Sequence, residues 1–216
     1  MAPRKENRVD IQNEMDKNLL QIVFEAEAGV ADGEDLQEHE HAIEELCNRG
    51  ANPCALNKVS LMSVESSALI MASALNLPEL VRLMLKSPQA LANPSAIDET
   101  GDTALHAAIW RGSLACFEQL LPLSDVDITN NLGRTPLMMA LSDQEWEMFD
   151  ALAPVSDLAI VDKRGMTALE QAEELSRLHS LPVWQRMAGI LRATEESRKI
   201  ELASSPSKSA GRAKSL

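Results

Sequence analysis

Gly101-Asp-Thr-Ala-Leu-His-Ala-Ala-Ile-Trp-Arg-Gly112 is the stretch on which the reading of this chain turns. It sets His106 among small apolar residues, three positions after Thr103. The frame is not unique. Gly101-Asp-Thr103-Ala-Leu105 returns as Gly133-Arg-Thr135-Pro136-Leu137 and again as Gly165-Met-Thr167-Ala-Leu169, each time after 32 residues. Asp98, Asn130 and Asp162 stand three residues before these glycines, and Ala108, Ala140 and Ala172 follow at a matching offset. The connectors align too, LPLSDVDI at 121–128 with APVSDLAI at 153–160. Self-similarity at such a period marks a repeat array, in which each unit buries its apolar face only against its neighbours.

Within a unit the residues read as a tight turn followed by two helices. Asp or Asn with a following glycine suits the turn. Thr103, Thr135 and Thr167 stand where a helix needs its first N–H groups capped, and Pro136 occupies a first-turn position where no N–H is required. Gly112 is placed to end the first helix of its unit in the left-handed conformation, whereas Asp143-Gln144 fills the corresponding place in the next unit and predicts strain there. In SLACFEQLLPL, Leu114, Phe117, Leu120 and Leu121 are expected inward at helical spacing, with Pro122 closing the helix. Trp146 takes the slot of Leu114 and is expected in the core, as is Trp184 in the final helix.

This pattern resembles the ankyrin repeat, whose signature is G-x-T-P-L-H-x-A-A-x-x-G. Residues 101–112 match it at Gly101, Thr103, Leu105, His106, Ala108 and Gly112, with Ala104 in place of proline. SALIMASALNLPELVRLMLKSP (67–88) keeps the helix pattern with Ser67 for Thr and Ile70 for His, and AIEELCNRGANP (42–53) looks like a second helix entering its turn. The first helix of that unit is expected over residues 18–28. The resemblance implies an all-α solenoid of stacked helix-turn-helix units with short β-hairpin or turn tips. Its units fall near 15–58, 59–97, 98–129, 130–161 and 162–199, after a mobile N-terminal extension at 1–14 and before a disordered Ser/Lys-rich tail at 200–216. Residues 29–41 read as an acidic insertion on a solvated loop between the first two helices. The resemblance also makes His106 structural, bonded to the Thr103 hydroxyl and to the backbone of the adjoining loop. Its equivalents are Met138 and Glu170, so no histidine chemistry repeats along the array.

Composition agrees with a helical array and narrows the function. Hydrophobic residues make up 45% of the 216, aromatics only 3% with no Tyr, so the core falls to Leu, Ala, Met, Ile and Val. Cys47, Cys54 and Cys116 lack the spacing of a disulfide framework or a CxxC zinc site, which predicts a reducing environment. With no apolar leader and no window near the roughly 20 apolar residues a membrane span needs, a cytoplasmic protein is expected. The net charge of −13 disfavours nucleic acid as a ligand. His39-Glu40-His41 is not an HExxH motif, and no serine elbow, P-loop or GxGxxG is present, so neither a metal, a cofactor nor a catalytic residue is expected.

The resemblance therefore implies a non-catalytic module, expected to be monomeric, that binds a partner protein through the concave face of the array. Trp110 is expected on that face because its equivalents are Ser142 and Glu174, and a core slot does not accept tryptophan, serine and an unpaired carboxylate in turn. Arg111, Asp102, Arg134, Ser142, Asp143, Glu173 and Glu174 complete the expected partner-binding set, and the acids favour a partner with a basic surface. Two other readings stand beside this one: an acidic inhibitor or immunity-like protein that blocks a nucleic-acid-binding protein, and a bacterial effector translocated into host cells.

Overall fold

The computed structural model describes residues 8–32, 36–57, 65–179 and 181–204. Their helices pair off along the chain. Unit one is α1 (Arg8–Asp32) with α2 (Gln37–Asn48), and unit two is α3 (Ala68–Ala74) with α4 (Pro78–Met84) and a short α5 (Pro88–Ala92). Unit three is α6 (Ala104–Arg111) with α7 (Leu114–Leu120), and unit four is α8 (Pro136–Asp143) with α9 (Trp146–Leu152). Unit five is α10 (Ala168–His179) with α11 (Pro182–Ser204). The first helices pack in the row α1, α3, α6, α8, α10, and the second helices in the row α2, α4, α7, α9. The core runs between the rows, from Leu19, Leu20 and Ile43 through Leu69, Leu80, Leu105, Phe117, Leu137 and Phe149 to Met187 and Leu191.

Each turn is built by one side chain. Asp98 Oδ1 accepts the N–H of Thr100 and of Asp102 at 2.8 and 3.0 Å. Asn130 Oδ1 does the same for Leu132 and Arg134, and Asp162 Oδ1 for Arg164 and Met166. The chain reverses through Gly101, Gly133 and Gly165 at φ of 77°, 73° and 77°. The turns also stack: Asn131 N–H donates to the Thr100 carbonyl at 2.8 Å, and Lys163 N–H to the Leu132 carbonyl at 3.1 Å. A Cβ on Gly101 or Gly133 would stand 2.8 Å from the backbone nitrogen of the next turn, so these positions exclude side chains on two counts.

The helix starts follow one rule with three endings. Thr103 Oγ1 accepts the His106 N–H, while His106 Nδ1 accepts the Thr103 N–H in return. Thr167 and Glu170 form the same reciprocal pair, with the Glu170 carboxylate on the Thr167 N–H at 2.8 Å. In unit four Thr135 caps the Met138 N–H, and the Met138 side chain has no group to return the bond. Ser67 supplies the equivalent cap to Ile70. His106 and Glu170 thus occupy one structural position, the third residue of a capping box.

Several expectations are corrected. The tips are side-chain-stabilised turns rather than β-hairpins; among the described residues the only extended pairing is the isolated bridge Asn57–Ser66. The first helix begins at Arg8, not near Asn18, so residues 8–14 belong to it. Gln12 and Asp16 tie it down, Gln12 Nε2 on the Gly50 carbonyl at 2.8 Å and Asp16 Oδ1 on the Asn52 N–H. The stretch 29–41 is no open loop either: residues 29–32 continue α1, His39 and His41 stand on α2, and 33–35 lie outside the described residues. Helix α11 runs to Ser204, past the expected start of the tail, and residues 1–7 and 205–216 lie outside the described residues. Arg198 fastens α11 to unit four by donating to the carbonyls of Ser156 and Pro154 at 2.6 and 2.7 Å. In α7 the buried side chains are Cys116, Phe117 and Leu120, with Leu114 and Leu121 only half-buried. Trp146 is half-buried as well, set edge-on against the buried Trp184 with ring centroids 5.3 Å apart.

Gln144 closes α8 at φ 65°, where Gly112 closes α6 at φ 70°. A left-handed non-glycine residue costs about 1–2 kcal/mol, part of which glycine returns through its freer unfolded chain. Gln144→Gly is therefore expected to raise unfolding stability by about 0.5–1 kcal/mol in urea titration. Leu137, buried between units three and five, is expected to cost about 2–5 kcal/mol on truncation to Ala.

Candidate functional site

The face carrying the turns and the first helices holds a preformed pocket between units two and three. Helix α3 contributes Ile70, Met71 and Ala74, which share a face one helical turn apart, with Ser66 just before the helix. Helix α6 contributes Ala107 and Trp110, and the turn between the units contributes Asp98 and Asp102. The pocket encloses about 210 Å³. Its floor is apolar and fixed, since Ile70, Met71 and Ala107 are buried in the stack. Trp110 also lines it and is 67% exposed; among the described residues its indole packs on no other ring, while Trp146 and Trp184 pack on each other.

The two carboxylates of the wall are held in place. Asp98 Oδ1 is committed to the turn and also accepts the Thr100 hydroxyl at 2.6 Å. Asp102 Oδ1 accepts the Asn130 amide at 2.9 Å, and its Oδ2 lies 3.1 Å from the Thr100 hydroxyl. Among the described residues no lysine or arginine pairs with either acid.

His106 lies beneath this wall, fully buried. Its Nδ1 accepts from Thr103, so Nε2 carries the proton and donates to the Arg134 carbonyl of the next turn at 3.2 Å. Burial lowers its pKa below the usual histidine value, against the opposing pull of Asp102, the Arg134 carbonyl and Asp98. Both ring nitrogens are engaged within the protein, which leaves none to meet a ligand.

The other expected binding residues are placed unevenly. Arg111 is exposed at the end of α6, and Arg134 is half-buried in the turn that receives His106. Ser142 donates to the Met139 carbonyl and to the exposed Asp143, one unit away from Trp110. Glu174 faces the last turn, 3.6 Å from Arg164. Glu173 does not join them: its carboxylate meets Arg192 of α11 at 2.5 Å, on the side of the second helices. Only Trp110 and Asp102 of the expected set line the pocket. Ile70, Met71 and Ala74 were not among the expected site residues, because Ile70 falls in the slot of buried His106 and the helix pattern of that unit reads as core.

The three cysteines are buried, and burial pushes the thiols of Cys47 and Cys54 up to about 11, far from a reactive thiolate. Among the described residues no group of three or more His, Cys, Asp and Glu is placed to hold a metal ion. No described helix is long and apolar enough to cross a membrane.

Residues 35–131 match the family described as ankyrin repeats (3 copies). The chain carries ankyrin repeats. The matched segment takes in the pocket, and the ankyrin geometry continues beyond it, since Asn130 and Asp162 build the same turn and Thr135 and Thr167 the same cap. No curated protein matches the chain. Ankyrin repeats are protein–protein interaction modules, typically without catalytic activity.

His106 is expected to act on stability. Removing its buried hydrogen bonds by His106→Ala should cost about 1–3 kcal/mol. The pH dependence has a defined sign. The unfolded histidine titrates near 6.5 and takes up a proton that the folded site resists, so its contribution is complete above that value and is lost as pH falls toward the lowered folded pKa. Urea unfolding at about pH 7.5 and about pH 5.5 should show a larger loss for the wild type than for His106→Gln.

Proposed function

We propose that this protein is a non-catalytic adaptor that binds a partner protein across the face formed by its turns and first helices, with Trp110 as the central anchor. The observation that carries this reading is an indole 67% exposed at the rim of a preformed apolar pocket, on a protein with only three tryptophans. Tryptophan is costly to leave in water, and anchors of this kind dominate interface energies. The pocket is held by turns and caps that need no partner, so little ordering is required on binding. Arg111 follows Trp110 at the end of α6, Asp143 and Glu174 lie in the next two units, and the net charge of −13 favours a partner with a basic surface.

The test is a binding partner recovered by cross-linking to the full chain and then titrated in purified form. Trp110→Ala should leave the melting temperature unchanged and weaken binding by about 2 kcal/mol or more. Asp143→Lys should chiefly slow association, by less at high salt. Full affinity in Trp110→Ala, with the fold intact, would move the site off this face.

A further inference from the structure

We infer that the pocket beneath Trp110 receives one long cationic side chain, a lysine or arginine of the partner. This rests on the reading that the partner binds at this face. The pocket has two chemically distinct parts. Met71, Ala74 and Ala107 offer a floor for an aliphatic stem, and the Trp110 ring is free to stack on a cation. Asp98 and Asp102 of the same lining supply negative charge that no described lysine or arginine neutralises.

That charge exceeds what the fold requires. Asn130 holds the next turn with the bonds Asp98 makes, and does so without charge. The equivalents of Asp102 are Arg134 and Met166, so the turn does not need an acid there either. In unit five's turn the acid Asp162 is already paired with Arg164 at 3.0 Å. Among the described residues, only the turn beside Trp110 combines an exposed aromatic ring with two half-buried carboxylates that pair with no lysine or arginine. The charge, the ring and the apolar floor coincide at one place in the array.

Other occupants fit less well. An apolar side chain would strip water from Asp98 and Asp102 and return nothing to them. An acidic one would meet like charge at close range. A short polar side chain would leave the floor and the indole wet. A lysine or arginine satisfies both parts at once, and because the turn bonds already fix the carboxylates, they need no rearrangement to meet it.

The experiment uses the full chain and fluorescent peptide pools, each with one fixed central residue (Lys, Arg, norleucine, Gln or Glu) in otherwise degenerate sequence, read by anisotropy. Wild type should bind the Lys or Arg pool about tenfold or more tighter than the norleucine and Gln pools, with Glu weakest. The double variant D98N/D102N keeps the turn, as Asn130 shows at the equivalent position, and should lose this preference while retaining residual binding. Trp110→Ala should weaken binding of every pool. A norleucine pool that binds as well as Lys or Arg, or a cation preference that survives D98N/D102N, overturns the cation pocket while Trp110-dependent binding keeps the groove. Pools that bind wild type and Trp110→Ala alike, or no pool binding at all, overturn the groove and the cation pocket together.

Discussion

Most of the helices in this array have seven or eight residues, too few to persist alone in water. Every other feature depends on how neighbouring units hold those helices. The central link is the buried histidine of unit three. His106 returns the Thr103 cap on one side and reaches the Arg134 carbonyl of the next turn on the other. One imidazole thereby fixes where α6 begins and how far the next turn stands from it. Ser113, through its bond to Asn76, and Asn131, through its bond to Thr100, repeat this joining of units at other levels.

The threonine rule tolerates replacements because its two halves are separable. The forward bond, from the helix N–H to the hydroxyl, is kept by Thr103, Thr135, Thr167 and Ser67. The return bond comes from an imidazole in unit three and from a carboxylate in unit five. Where Met138 gives it up, α8 still starts with Pro136, whose ring presets the backbone of the first turn. At the other end of that helix Gln144 accepts a left-handed conformation that Gly112 adopts without strain. Unit four is thus capped less completely at both ends, yet its side chains from Leu137 to Leu141 are all buried. Packing against units three and five carries it.

The same stacking produces the pocket. Two neighbouring first helices with small residues at their contact, Ala74 and Ala107, leave a hollow on the turn side that larger side chains would fill. The turn above it must be rigid to stack on the next one, and that rigidity presents Asp98 and Asp102 in fixed positions. The proposed recognition surface is in this way a by-product of the bonds that hold the array together, and its chemistry is set by residues that the turns and caps do not require.

The 32-residue period, the turn glycines, the capping threonines and the structural place of His106 were all legible in the sequence, because each depends on local backbone geometry that recurs in register. So was the exposure of Trp110, since serine and glutamate at its equivalents cannot belong to a core. The long α1 was not, because residues 8–14 extend a helix held by long-range bonds from Gln12 and Asp16 to the turn after α2. Nor was the side on which Glu173 lies: it follows from the path of α11, which returns Arg192 across α10. The pocket itself could not be read from the chain, for its floor and wall come from three segments between Ser66 and Trp110 that share no local motif. Sequence determined what each repeat must do alone, through caps and turns spanning four or five residues. Tertiary packing decided what two repeats make between them, because the spacing of α3 and α6 is set by side chains that meet only in the stack.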